Sequence, residues 1–586
     1  MSQPTSDDAN SAAVPSVSAS ASPLEGLRQA VLAAAEDLAL APGGAPGAGS
    51  AEGDGRREDA KAHAPSRAAI TLERPKRAAF GDYSTNAALL LAPTLGAPPR
   101  EIAERLGSAL QARLASSLER FEVAGPGFVN LFMADSWLTG ALAEMLEAGE
   151  GYGGGQAPAP ERVLVEFVSA NPTGPMHVGH ARNAAYGDAL ARMLDLYGHD
   201  VQREFYVNDA GSQVRKFGES VQTLARGEQL PEDGYKGDYV AELAARLPDA
   251  ATMDAAALGQ AAVKLMVEGI EVSLAGFRVE GFDRWFFESA LHQGDPSPVA
   301  HSLAILAEQG HTYEHEGALW LRTTDFGDDK DRVLVRSNGE HTYFASDIAY
   351  HQDKRERGFQ RQIDVWGADH HGYVLRMKAA YEALGGDPDE LELLIMQLVH
   401  LMRSGERAQM SKRAGQFVSL EELVSEIGVD AARWYLLARS HDTTVDLDLD
   451  LAREQSNENP VYYVQYAHAR IASMLARAGG ERVSAAIAAV LEEELDPLEP
   501  AERALIERLL DFPAELAEAV DRRAPHRIAA YALDLAQGFT AFYRDCRVLG
   551  AEPEHVESLR IALCVASART IARCLGLLGV SAPEHM

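Results

Sequence analysis

The sequence predicts a multidomain α/β protein, in which a doubly wound parallel sheet lies along the chain between an N-terminal α+β domain and a C-terminal all-α bundle. Strand and helix patterns alternate after residue 160, as in doubly wound sheets. Strand patterns stop near Leu451, and long segments of 3.6-residue apolar periodicity follow, such as Val461 to Ala478 and Ala501 to Val520. Residues 151–160, GYGGGQAPAP, are typical of a linker between domains.

The N-terminal part combines one predicted domain with two segments of biased composition. Residues 1–22 are rich in Ser, Ala and Pro, which predicts a disordered tail. A helix is predicted over Pro23 to Leu40. Residues 41–66 are rich in Gly, Ala and Pro and predict a flexible insertion. Folded sequence then resumes, with a helix from Arg100 to about Leu118, so the expected N-terminal domain covers residues 23–150.

A strand, a tight turn and a helix follow the linker. Val163 to Val168 is a continuous apolar run, typical of a buried parallel strand. After a Pro- and Gly-containing turn, a helix begins at His177-Val178-Gly179-His180 and is predicted to stop at Gly198. Gly179 would let a flat base or ribose approach the backbone, and the two histidines could donate to phosphate oxygens. The pattern predicts a phosphate-handling site. The alternative is a pair of ordinary helix-terminal histidines.

A second group of polar residues lies far downstream. The strand-like run LIMQLVHLM (394–402) precedes Gln409 to Gly415, and Ser419 to Glu422 fits a capping box that opens a helix. A Gly-containing loop with adjacent Lys412 and Arg413 suits the transient binding of a pyrophosphate leaving group. The alternative is an ordinary solvated basic pair.

Composition limits the class of protein. A chain of 586 residues should hold roughly three or four domains. It has no apolar run long enough to span a bilayer and no signal-peptide pattern, so we expect a cytoplasmic protein without a membrane partner. The formal net charge of −33 argues against a polyanionic partner, but net charge does not describe local sites. Cys546, Cys564 and Cys574 lack zinc-ligand spacing and are expected to be buried.

These motifs resemble the HIGH and KMSKS motifs of class I aminoacyl-tRNA synthetases. More narrowly, the chain resembles the arginyl-tRNA synthetase family across nearly its whole folded length. The segments that carry this resemblance are EFVSANPTG (166–174), YVNDAGSQ (206–213), YFASD (343–347), VWGADHHG (365–372), NPVYYVQYAHAR (459–470) and SAPEHM (581–586).

The resemblance implies a reaction and a domain plan. ATP and L-arginine would form arginyl-adenylate with release of pyrophosphate, and the arginyl group would pass to the terminal ribose of tRNA-Arg. The expected domains are a Rossmann-like catalytic domain over residues 151–400, with an insertion near 216–280, a loop and stem-contact region over 401–450 and an anticodon-binding helical bundle over 451–586. Mg²⁺ would arrive with the nucleotide, no dedicated metal site is expected, and the chain is expected to act as a monomer.

The resemblance also implies site residues. For catalysis they are His177, His180, Lys412 and Arg413, and for ATP binding His177, Gly179, His180, Gly367, Asp369, Met410, Ser411 and Lys412. A guanidinium needs carboxylates and a flat aromatic surface, and the implied arginine-binding residues are Glu166, Asn171, Tyr343, Asp347 and His370. Asp347 could instead be a helix N-cap. The first lysine of the KMSKS pattern is Gln409 here, which leaves open how the catalytic roles are shared among the residues of that loop.

For tRNA, the resemblance implies Tyr83 and Asn86 in the N-terminal domain and Tyr462, Tyr466 and Arg470 in the bundle. Tyr83 could equally be a core aromatic, and about half of the aromatic residues around 462–468 must face the bundle core. Two other functions stay open: a nucleotidyltransferase that makes a different adenylylated product, and a non-catalytic relative that binds RNA or arginine.

Overall fold

The computed structural model describes residues 22–40, 70–408, 418–492 and 497–586. Nearly all of the predicted tail, the whole predicted insertion over 41–66 and the segment Gln409 to Gly415 therefore lie outside the described residues. The chain divides into two compact units. The first unit comprises Met1–Gln156, Ser484–Pro513 and Gly550–Leu563, and the second comprises Ala157–Val483, Ala514–Leu549 and Cys564–Met586.

The N-terminal part of the first unit is a four-stranded antiparallel sheet, in the order β1-β2-β4-β3, packed against helices. Its elements are α1 (Pro23–Leu40), β1 (Leu72–Glu73), β2 (Tyr83–Thr85), α2 (Ala87–Leu95), α3 (Pro99–Leu114), β3 (Leu118–Ala124), β4 (Phe128–Met133) and α4 (Asp135–Ala148). Helix α1 has the predicted bounds. Helix α3 ends four residues earlier than predicted, because Ala115 adopts a positive φ of 48° and Leu118 is buried in β3.

The second unit is built on a five-stranded parallel sheet in the order β12-β11-β5-β6-β7. The elements up to its last strand are β5 (Arg162–Glu166), α5 (Val178–Tyr197), β6 (Asp200–Val207), α6 (Gly211–Ala225), α7 (Asp238–Arg246), α8 (Ala255–Gly276), β7 (Arg284–Phe287), α9 (Pro298–Glu308), β8 (Thr312–His315), β9 (Ala318–Leu321), β10 (Arg332–Val335), α10 (Tyr343–Glu356), β11 (Arg361–Gly367), α11 (Val374–Ala383) and β12 (Leu391–Met396). Helices α6 to α8 form the connection between β6 and β7, and β8 to β10 form a separate antiparallel sheet.

Helices dominate the rest of the chain. The elements are β13 (Val399–Arg403), β14 (Glu406–Arg407), α12 (Leu420–Leu437), β15 (Val445–Asp448), α13 (Leu449–Arg453), α14 (Pro460–Ala478), α15 (Gly480–Glu492), α16 (Pro500–Leu510), α17 (Phe512–Asp521), α18 (Pro525–Asp545) and α19 (Glu554–Leu577). Among the described residues, no strand follows β15. None of the described helices combines the length and the apolar character that crossing a membrane requires.

Three further sequence predictions of element bounds were wrong in detail. The predicted strand Val163 to Val168 ends at Glu166, because Val168 and Ser169 have positive φ. The run LIMQLVHLM belongs to two strands, β12 and β13, in different sheets. The predicted helix Ala501 to Val520 is two helices, because Pro513 has no N–H to continue the hydrogen-bond ladder. The capping box at Ser419, the stop of α5 at Gly198 and the burial of all three cysteines are as predicted.

Candidate active site

The parallel sheet has its crevice between β5 and β11. From β5 the chain moves to β6 on one side, whereas β11 pairs with the other side of β5, so the connections diverge at this point. Ligands of open α/β sheets bind outside the carboxyl ends of the strands at such a switch point. A cavity of about 600 Å³ lies there, lined by residues that follow β5, β11 and β12 and by the start of α5.

The two histidines cap α5 and stack on each other. His177 is the N-cap, and its Nδ1 accepts a hydrogen bond from the Gly179 amide at 3.1 Å. His180 Nδ1 accepts from the His177 amide at 3.3 Å, and the ring centroids are 3.7 Å apart. Burial lowers the pKa of both rings, that of His180 to about 3, so both are neutral at neutral pH. With Nδ1 accepting, the proton of each neutral ring is on Nε2, which can donate.

A strained turn after β5 carries Asn171 to the cavity. Val168 and Ser169 have φ of 70° and 38°, and the side chain of Asn183 bonds the Val168 amide at 2.6 Å. The Ser169 hydroxyl donates to Glu166 Oε1 at 2.7 Å. Such strain persists only where the surrounding contacts fix it and is common at functional sites. The turn is therefore fixed by hydrogen bonds to Glu166 on β5 and to Asn183 on α5.

The ends of the segment 409–417 border the same cavity. Ala408 and Val418 both line it. The Val178 amide donates to the Val418 carbonyl at 3.1 Å, and the Leu420 amide donates to the Met176 carbonyl at 2.9 Å. Chain on both sides of Lys412 and Arg413 thus meets the histidine-bearing helix start, although these two residues lie outside the described part of the chain.

The cavity brings together seven of the residues predicted for ATP or arginine: Asn171, His177, Gly179, His180, Gly367, Asp369 and His370. Three further predicted residues, Glu166, Tyr343 and Asp347, do not line it.

Glu166 is buried and already paired. Its Oε2 lies 2.5 Å from the Nζ of Lys354, which also lies 2.7 Å from Asp364 Oδ1. Glu166 on β5 and Asp364 on β11 are register partners, so one buried lysine neutralises two adjacent carboxylates. Burial raises the pKa of Glu166, whereas Lys354 lowers it. The prediction that Glu166 contacts arginine stays a prediction, and in this structure its carboxylate holds Lys354 and Ser169.

Asp347 lies close enough to His370 and Glu288 to interact with both electrostatically. Thr342, not Asp347, is the N-cap of α10, so the N-cap alternative was wrong. The Tyr373 hydroxyl donates to Asp347 Oδ2 at 2.5 Å, and burial raises the pKa of Asp347. Tyr343, on the first turn of the same helix, is 55% exposed.

Sequence reasoning missed Glu288. This carboxyl is 4% exposed, and burial together with the charge of Asp347 raises its pKa to about 7, against a hydrogen bond from Tyr206 that lowers it. Glu288 directly follows the aromatic strand RWFF, as Glu166 ends the apolar strand β5. A carboxylate at the carboxyl end of an apolar strand was therefore the signal that could have found it.

The tRNA contact of Tyr83 stays a prediction, and the structure favours its alternative, a core aromatic. The ring is 2% exposed in the core of the first unit, edge-on to Trp137 at 6.0 Å. Tyr83 is the first residue of β2, and its ring packs inward against this core. The Asn86 amide oxygen accepts from the Thr71 amide at 2.9 Å, and its contact with tRNA stays a prediction.

The helical part offers an exposed aromatic face on α14. Tyr466 is 41% exposed and stacks in parallel with Tyr462 at 6.1 Å. Arg470 is exposed and lies over the Tyr543 ring, 4.5 Å from its centroid. His468, in contrast, is buried and bonds the Pro583 carbonyl at 2.8 Å. Of these ring-bearing residues His468 alone is buried, whereas Tyr462 and Tyr463 are half-buried and Tyr466 is exposed.

A parallel sheet with a histidine-capped helix at its crevice, together with a Met-Ser-Lys-Arg motif later in the sequence, is typical of the class I aminoacyl-tRNA synthetases. Comparisons with known proteins agree. Residues 141–232 and 294–472 match the catalytic-domain model of class I (R) tRNA synthetases. Residues 56–133 match the arginyl tRNA synthetase N terminal domain, and residues 464–586 match the DALR anticodon binding domain.

Individual relatives narrow the class to a family. The chain is 46% identical over 531 residues to an arginine–tRNA ligase of Geobacillus thermodenitrificans, which covers 88% of this chain and 94% of that protein. Identity to the Bacillus subtilis arginine–tRNA ligase is 45% over the same shares. The Thermus thermophilus arginyl-tRNA synthetase structure shares the fold, with a TM-score of 0.71, 24% identity and coverage of 96% and 99%. The chain belongs to the arginyl-tRNA synthetase family, which confirms the resemblance and the predicted fold class.

Proposed function

We propose that this chain ligates L-arginine to tRNA-Arg in two steps. A carboxylate oxygen of arginine attacks the α-phosphorus of ATP, the bond to the β-phosphate oxygen breaks and pyrophosphate leaves. A hydroxyl of the terminal tRNA ribose then attacks the carbonyl carbon of arginyl-adenylate, and AMP leaves. The observation that carries the proposal is the cavity between β5 and β11, where the histidine pair, Asn171 and both ends of the Lys412 segment meet.

The ATP side of the cavity needs donors rather than a covalent nucleophile, because adenylate formation requires positioning and stabilisation of phosphate charge. The Nε2–H groups of His177 and His180 at the start of α5 are the proposed donors, because the Gly179 amide already donates to His177 Nδ1. Gly179 would contribute by letting the nucleotide approach the backbone closely. Gly367 and Asp369 border the opposite wall. From the sequence we add Met410, Ser411, Lys412 and Arg413, with Lys412 and Arg413 binding the leaving pyrophosphate. Mg²⁺ would enter bound to the nucleotide.

The arginine side needs anionic and flat surfaces. We propose that Asp347 and Glu288 together bind the guanidinium. The negative charge of Asp347 disfavours ionisation of Glu288, and a bound cation would remove this repulsion. Tyr343, exposed above Asp347 on α10, would cover the planar group, while Asn171 and His370 on the cavity wall would hold the amino-acid backbone. Glu166 would act close by through Ser169 and the turn it supports.

The proposed tRNA contacts rest on side chains that are exposed or partly exposed to solvent. Tyr462, Tyr466 and Arg470 present an aromatic and cationic surface on α14, which suits stacking with unpaired bases. Asn86 is proposed for the first unit. We also propose that the chain works as a monomer in the cytoplasm.

The test is arginine-dependent exchange of radioactive pyrophosphate into ATP, measured with and without tRNA-Arg. We expect exchange with arginine when tRNA is present, and none with lysine, which carries its charge without a planar guanidinium. Absence of exchange at saturating arginine with tRNA present would exclude the proposed activity. Equal exchange with lysine would exclude the proposed guanidinium site.

A further inference from the structure

The cavity at the sheet crevice has an uneven charge distribution. It is large enough for a nucleoside triphosphate, yet His177 and His180 in its wall are neutral at neutral pH. Of the described residues that line it, Arg407 alone is a lysine or arginine. A polyanionic triphosphate that enters this cavity therefore meets one permanent positive charge among the described side chains, and that charge is on β14.

The Arg407 guanidinium is held by a neighbouring histidine. Strands β13 and β14 are antiparallel, with Arg407 opposite Met402. The Nη2 of Arg407 lies 3.1 Å from both ring nitrogens of His400, and His400 Nδ1 lies 2.9 Å from Asp446 Oδ1 on β15. With the proton on Nδ1, the ring donates to Asp446, and its Nε2 accepts from Arg407. His400 also lines the cavity, so the pair faces it together.

We propose that Arg407 binds the triphosphate of ATP and that His400 is its positioning residue. The guanidinium has five donors, and His400 uses one of them, so Arg407 can still make a bidentate contact with phosphate oxygens. This contact is additional to the roles assigned above to the histidine pair and Lys412. The inference rests on the proposed function, because it takes the cavity to be the ATP site.

The test is calorimetric titration of the full chain with ATP and Mg²⁺, which does not require catalysis. Arg407→Gln should weaken ATP binding about tenfold or more, the typical loss for a hydrogen bond to a charged group. The matched control is Arg403→Gln on the same hairpin, because Arg403 pairs with Glu426 and does not line the cavity. The control should bind ATP as the wild type does.

His400→Ala should weaken ATP binding in the wild type but have little further effect in the Arg407→Gln background, since its role runs through Arg407. Independent effects of the two changes would overturn the positioning role. If the wild type binds ATP and Arg407→Gln binds it equally well, this inference fails while the proposed function stands. If the wild type binds no ATP, the proposed site and this inference fail together.

Discussion

At the scale of single residues, the paired histidines combine two roles. Their Nδ1 atoms satisfy backbone N–H groups at the start of α5, which a helix N-terminus would otherwise leave without partners. The same hydrogen bonds fix the proton on Nε2, the atom that phosphate would meet. Because the pKa of His180 is about 3, its donor state is constant across the physiological pH range. Any pH dependence of the activity near neutrality should therefore arise from another group in the site.

Glu288 is the group that should respond to pH. Its pKa of about 7 means that the carboxyl gains a proton as pH falls below 7, and a neutral carboxyl attracts guanidinium less. We expect the KM for arginine to rise about tenfold between pH 8 and pH 6 in pyrophosphate exchange. Glu288→Gln should show a raised KM that no longer changes over this range. A variant that keeps the wild-type pH profile would show that another group is responsible.

The positions of residues were predictable where a motif fixes them, and less so where packing decides. His177, Gly179 and His180 line the cavity as the strand-turn-helix pattern implied. The sequence left open whether Tyr83 is buried, because an aromatic on a short strand is buried or exposed according to the register of its sheet, which one sequence does not reveal. Glu288 was missed because its partner Asp347 is distant along the chain.

At the scale of secondary-structure elements, Lys354 connects helix α10 with strands β5 and β11. It extends from α10 to Glu166 on β5 and Asp364 on β11, with no exposed surface. Lys354→Met should lower the free energy of unfolding by about 3–5 kcal/mol, because two buried carboxylates lose their counter-ion. Denaturant unfolding measures this loss. The matched control is Lys216→Met, which removes an exposed pair with Asp233 and should cost less than about 1 kcal/mol.

Adding Glu166→Gln to Lys354→Met should recover part of the lost stability, since it removes one of the unpaired charges. A Lys354→Met protein as stable as the Lys216→Met control would contradict the role given to this cluster. The sequence predicted a buried carboxylate at Glu166 but could not identify its counter-ion, because α10 lies almost 190 residues further along the chain.

Element types were predicted better than their ends. Helices α1, α5 and α14 follow from apolar periodicity and capping residues. The ends of β5 and α3 depend on positive φ at non-glycine residues, Val168, Ser169 and Ala115, for which the sequence carries no local signal. At β5 this deviation from regular strand geometry is what brings the following residues to the cavity.

At the scale of the whole molecule, the strongly acidic composition does not preclude an RNA partner. The formal charge of −33 belongs to the entire surface, whereas the exposed cation Arg470 stands with Tyr466 on one helix face. Net charge alone pointed away from nucleic acid, and the family match points toward it. A few hydrogen-bond donors and aromatic rings at one place on the surface matter more for RNA binding than the net charge of the chain. Electrostatic contacts act within about a Debye length of 10 Å, so distant charges contribute little.

One chain is proposed to recognise the guanidinium of arginine through Asp347 and ATP through the cavity between β5 and β11, whose wall also includes Asn171 and His370. The most direct measurement is the aminoacylation of tRNA-Arg by the full chain and by Asp347→Asn, with the KM for arginine and the KM for ATP determined separately. Asp353→Asn is the matched control, since Asp353 is on the same helix but faces Arg284 and Arg357. We predict that Asp347→Asn raises the KM for arginine about tenfold or more and leaves that for ATP nearly unchanged. Equal increases in both constants, or no change in either, would contradict the account.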